Sequence, residues 1–140
     1  MIKTKQKLIT KIHLVISVLI VVPVAFYYGF NPSSKFDIFL GTIDELNFFK
    51  AVMGLYLGFS LLWILGIFKA DYLKLALVTN LIFMLGLAFG RTLSFFIDGI
   101  PTQAYVLGVI GEFVLGLYGL WVLKYVNVHD KSLDYNFKKP

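Results

Sequence analysis

Long apolar runs separated by short polar interruptions dominate this chain. The runs extend over about 13–30, 46–68, 72–97 and 102–126. Each is at or near the roughly 20 residues that an α-helix needs to cross the hydrocarbon core of a bilayer. None alternates with period two, as a barrel strand would. The predicted fold class is therefore all-α: one domain over residues 1–140, an integral membrane bundle of four transmembrane helices. Asn31-Pro32-Ser33-Ser34 ends the first run, Lys69-Ala70-Asp71 the second and Asp98-Gly99-Ile100-Pro101 the third. Pro23, inside the first run, removes one helical hydrogen bond and predicts a kink.

Two segments lie outside the predicted spans. Residues 31–45 include Phe36, Ile38, Phe39, Leu40 and Ile43, so this segment should lie along the membrane surface as a short helix or cap the bundle. Residues 127–140 are polar and basic, and read as a flexible tail.

Composition reinforces the pattern. Hydrophobic residues make up 59% of the chain and charged residues only 15%, against roughly 25% charged in a soluble domain. The formal charge of +5 would suit nucleic acid if it formed a patch, but its distribution argues otherwise. Lys3, Lys5, Lys7 and Lys11 precede the first run, and Lys124, Lys131, Lys138 and Lys139 follow the last. Basic residues so placed are topology signals and contacts for anionic lipid, not a nucleic-acid site. Residues 31–45 hold one lysine against Asp37, Asp44 and Glu45, and the 98–101 turn holds Asp98 with no basic residue. Both termini are therefore expected in the cytoplasm, in a multi-pass membrane protein. The first run ends in Phe26-Tyr27-Tyr28, not in small residues, which favours an uncleaved helix over a signal peptide. There is no cysteine, so thiolate metal sites and thiol redox chemistry are excluded.

Three charges fall inside the runs: Lys50, Arg91 and Glu112. Counting 1.5 Å per residue, they lie about 6, 9 and 15 Å from the ends of their helices on the 31–45 side. A charge at mid-bilayer costs at least about 2.5–3.5 kcal/mol, so such residues usually face the bundle interior and pair. Helical spacing puts Asn47, Lys50, Gly54 and Gly58 on one face. Asn80, Met84, Ala88, Arg91 and Asp98 share another, and Gly108, Glu112, Gly116 and Gly119 a third. Small residues let helices approach closely in lipid. Spans two, three and four are thus expected to meet through these faces, with span one more peripheral. Lys50 and Arg91 are long enough to snorkel to the surface; Glu112 is short and deep, and must pair or stay protonated. The candidate site is Lys50, Arg91, Glu112, Asp98, Asn47 and Asn80, as a ligand site or as an ion pair that only fixes helix register. His13 and His129 read as interface residues at opposite ends of the chain. Neither a nucleophile with its base nor a metal set can be assembled, so no cofactor is expected and enzymatic activity is the least supported reading.

These residues resemble a family of small bacterial membrane proteins catalogued only as a domain of unknown function, loosely similar in layout to the DoxX-like group. The resemblance rests on Asn47-x-x-Lys50-Ala51-x-x-Gly54-x-Tyr56-x-Gly58, Leu87-Ala88-Phe89-Gly90-Arg91, Asp98-Gly99-x-Pro101 and Glu112. Lys50 stands where the family favours arginine, which keeps the charge but loses bidentate geometry. The resemblance implies a four-helix fold and brings no activity. The expected partners are the lipid bilayer, a small hydrophobic or anionic ligand, and a second copy or another membrane protein. A binding or accessory protein is the leading reading; a proton- or ion-coupled transporter subunit acting as an oligomer is the alternative.

Overall fold

In the computed structural model the backbone is described from Thr4 to Phe137 and side chains from Lys5 to Tyr125. The elements are α1 (Thr4–Phe30), α2 (Ser33–Phe36), α3 (Ile43–Phe68), α4 (Leu73–Ile97) and α5 (Gln103–Phe137), with a turn of 3-10 helix at Ala70–Tyr72 before α4. There is no strand among the described residues. Four stretches, Lys5–Phe30, Ile43–Phe68, Ala70–Ile97 and Gln103–Tyr125, are long and apolar enough to cross a membrane. The helices run alternately up and down. The end where α1 begins and α3 meets α4 is here the terminal end; the other is the distal end.

Local signals explain the boundaries. α3 starts at a capping box: the Glu45 backbone N–H donates to the Thr42 hydroxyl, and the Glu45 carboxylate accepts from the Thr42 and Gly41 N–H groups. That satisfies N–H groups that a helix start leaves open. Gly99 takes φ +102° in the turn between α4 and α5, where a side chain would be strained. α1 continues through Pro23, which lies on the exposed side. α5 continues to Phe137, beyond the span end expected at 126, so the backbone of residues 127–137 is helical. The remainder of the expected tail, 138–140, lies outside the described residues.

α1 is not peripheral. Its pairing with α3 is the most extensive in the bundle, and it also touches α4 and α5. Aromatic rings explain why. Tyr28 of α1 meets Tyr56 of α3 edge-on, with centroids 5.7 Å apart, and Tyr56 meets Phe83 of α4 at 4.9 Å. Trp63 packs edge-on against Phe83 at 5.3 Å. Edge-to-face pairs of this kind add about 0.5–1.5 kcal/mol beyond burial. Packing Tyr56, Ser60 and Trp63 inward turns the opposite side of α3 outward. Gly54 and Gly58 therefore have nothing within 4 Å of an added Cβ, and the expected Gly54–Gly58 packing face is unpartnered. The same holds for Gly86 and Gly90. On α5 the glycine stripe does pack: Gly116 lies against Leu85, and Gly119 against His13.

Candidate functional site

Arg91 and Glu112 meet across the α4–α5 interface. Arg91 Nη1 lies 3.3 Å from Glu112 Oε1, with only 20% and 13% of the two side chains exposed. Gly108, one turn from Glu112, makes the approach possible. A Cβ there would stand 2.9 Å from Nη1, so the missing side chain lets the guanidinium lie against α5. Arg91 Nη2 donates to the Tyr28 hydroxyl at 2.9 Å, which ties the pair to α1. The Tyr105 ring lies beneath the guanidinium, 5.5 Å from its carbon, in cation–π geometry. Phe36 of α2 packs at a tilt against Tyr28, 4.7 Å between centroids, and against Tyr105 at 5.5 Å, so the 31–45 segment caps the site. Three tyrosines from three helices thus surround one guanidinium, since Tyr56 also interacts with it electrostatically.

Cavities flank the pair on both sides. A distal cavity of about 360 Å³ lies among Tyr28, Phe49, Val52, Ser94, Phe95 and Tyr105. A more enclosed, proximal cavity of about 230 Å³ lies among Val21, Val24, Met84, Gly111, Glu112 and Leu115. Tyr28, Tyr56, Leu87 and Arg91 belong to both walls. The first volume falls within the range of about 300–1,000 Å³ common for small-molecule sites, and the walls are apolar with a few convergent polar groups. Polar capacity remains at the centre. Arg91 has five N–H donors: Nη2 donates to Tyr28, Tyr56 also hydrogen-bonds the guanidinium, and Nη1 pairs with Glu112. Glu112 Oε2 is buried without a hydrogen-bond partner.

The other residues expected at the site are elsewhere. Lys50 and Asn47 are exposed on the outward side of α3. Asp98 is exposed at the end of α4, where its carboxylate accepts from Ser94 Oγ at 2.7 Å. Asn80 is fully buried but sits eleven residues before Arg91, about 16 Å toward the terminal end. There its Oδ1 is 2.8 Å from His13 Nε2. His13 is fully buried against the bundle, nine residues after the start of α1 at Thr4. The side chain of His129 lies outside the described residues. Sequence reasoning missed Tyr28, Tyr56 and Tyr105. Tyr105, near a span end, reads as an aromatic-belt residue, and Tyr56 only as part of a motif; the partners across the bundle are what bring the three together.

Helix order, apolar length and a largely enclosed ion pair beside two apolar cavities define a small protein with four helices long and apolar enough to span a membrane and a polar cluster among them. A family model described as a domain of unknown function, DUF4345, matches residues 9–123. The chain belongs to that family. No curated protein and no solved structure matches it.

Proposed function

We propose that this chain is a binding or accessory protein of a bacterial inner membrane, with both termini cytoplasmic and a site in the outer half of the bundle for a small amphiphilic molecule. The looser likeness of layout to the DoxX-like group belongs to the same proposal. The carrying observation is that Arg91, Tyr28 and Tyr56 stand in the shared wall of two apolar cavities, with Tyr105 beside Arg91 in the wall of the distal one. A pair needed only for helix register would be enclosed by packed side chains; here the packing stops on both sides of it. The bound group accepts hydrogen bonds from Arg91 and the tyrosines, and its apolar part fills the cavities. Lys50, on the outside of α3, reaches toward lipid head groups. The test is mass spectrometry of small molecules extracted from the purified protein. A discrete amphiphile retained by the wild type and lost in Arg91→Gln supports the reading. Equal retention in both, or nothing beyond bulk lipid, contradicts it.

The reading as a proton- or ion-coupled transporter subunit has one observation in its favour, the unpartnered Oε2 of Glu112 beside a cavity. Four helices rarely enclose a pathway, so this reading also needs an oligomer.

A further inference from the structure

The polar groups around Arg91 divide unevenly between the two cavities. Glu112 stands in the wall of the proximal cavity and not in that of the distal one. Arg91, Tyr28, Tyr56, Tyr105 and Ser94 are the polar side chains of the distal wall, and among the described residues it holds no carboxylate. Ser94 has its hydroxyl hydrogen committed to Asp98, 2.7 Å away. What Arg91 and the three tyrosines still offer therefore decides what the distal cavity can hold.

A guanidinium has five N–H donors and no acceptor, so a phenol that bonds it does so through its oxygen and keeps its own hydrogen. Tyr28 accepts from Nη2 at 2.9 Å, and Tyr56 accepts from the same group. With Nη1 on Glu112, three of the five donors are engaged and two remain. Tyr28 and Tyr105 hydrogen-bond each other, which uses one of the three phenolic hydrogens. The other two have no acceptor among the described residues. Donors are therefore in excess. The one spare acceptor, Glu112 Oε2, is buried and belongs to the residue on the proximal side. Buried donors left unmet are costly, so a ligand that accepts is favoured over one that donates.

Charge narrows the choice further. The Arg91 cation is already matched by Glu112, 3.3 Å away. An anionic head group would give the cluster a net negative charge against walls of Phe48, Phe49, Val52, Leu87 and Phe95. A charge taken from water into such surroundings without a counter-charge is expensive. A hydroxyl brings one more hydrogen into a wall already short of acceptors. A carbonyl oxygen has two lone pairs and no hydrogen, and meets two of the spare donors without adding charge. We propose that the distal cavity holds the carbonyl group of a neutral amphiphile, its oxygen on Arg91 and the tyrosine hydroxyls, and discriminates against anionic head groups. An acyl ester of a lipid and the ring carbonyl of a quinone share this chemistry. The proposal rests on the reading that the cavities bind an amphiphile, and names its class.

The full chain is purified in an alkyl maltoside, a detergent without a carbonyl, and titrated with four probes of equal chain length. They are a fatty-acid methyl ester, an alkyl benzoquinone, an alkyl alcohol and an alkyl sulfonate, which stays anionic at any working pH. At least one carbonyl probe is expected to bind about tenfold more tightly than the alcohol and the sulfonate. Preference for the ester assigns the site to a lipid acyl ester, and preference for the benzoquinone to a ring carbonyl. The infrared band of its isotope-labelled carbonyl should move to lower wavenumber on binding, and move back in part in Tyr56→Phe, which keeps the ring and loses the hydroxyl. Glu112→Gln leaves Arg91 uncompensated and should raise the affinity for the sulfonate about tenfold. If the alcohol or the sulfonate binds wild type as tightly as both carbonyl probes, the proposal is overturned and the amphiphile reading stands. Binding of none of the four overturns both. An unchanged ranking in folded Glu112→Gln also overturns the proposal, and should that variant not fold, the wild-type ranking decides alone.

Discussion

Removing Arg91 and Glu112 singly and together separates a coupled pair from two residues that happen to be close. Arg91→Gln leaves Glu112 in a cavity wall, only 13% exposed, with no cation and one oxygen already unpartnered. Breaking a buried pair by removing one partner costs about 3–5 kcal/mol. Partial exposure and an adjoining cavity place this case at the lower end, about 3 kcal/mol. For a chain of this length that corresponds to a melting temperature roughly 10 °C lower. Glu112→Gln should cost less, about 2 kcal/mol, because Arg91 keeps the Tyr28 hydroxyl and the Tyr105 ring. With both neutral, neither charge is left alone, and the double variant should fall short of the summed losses by at least about 1 kcal/mol. Thermal unfolding in detergent, followed by the emission of fully buried Trp63, measures all four proteins. Losses that add to within about 0.5 kcal/mol would refute the coupling.

Three further outcomes follow from the packing. Gly116→Ala should destabilise the protein by at least about 1 kcal/mol because the new methyl meets Leu85. Gly58→Ala should be neutral or slightly stabilising, since nothing lies within 4 Å and alanine favours helix; equal losses at both would show that the faces are misassigned. Asn80→Leu removes the partner of His13 Nε2 and should cost about 1–3 kcal/mol in the same unfolding assay, with no loss meaning that the buried contact does not form. Single cysteines at Phe39 and Gly99 should react with an impermeant reagent from outside intact cells, and one at Ala70 only after lysis; any other pattern contradicts the proposed orientation.

Helix number, order and approximate boundaries were legible because apolar run length is a direct signature of helices suited to a bilayer. The Arg91–Glu112 contact was legible for a related reason: Glu112 is too short to reach water, and Arg91 is the cation nearest its depth. Lys50 misled because periodicity identifies which residues share a helix face but not which way that face turns. Rings decided the direction. Tyr56 and Trp63 pack inward and carry Gly54, Gly58 and Lys50 outward. The same ambiguity hid α1, expected to be peripheral, although its Gln6, Thr10, His13 and Ser17 are all buried against the bundle. Their shared spacing was visible in the sequence, but Asn80 and Gly119, the partners that give it meaning, lie far along the chain.

The central claim is that the two cavities beside Arg91 and Glu112 hold an amphiphile. Photocrosslinking in native membranes with a lipid-soluble diazirine probe, followed by peptide mapping, addresses it most directly. The account predicts adducts on inward residues of the cavity walls, Val24, Leu87 and Leu115, in excess of those on the outward residues Leu19, Ile82 and Leu117, with the excess lost in Arg91→Gln. Labelling confined to the outward residues, or an inward signal that persists unchanged in Arg91→Gln, would contradict it.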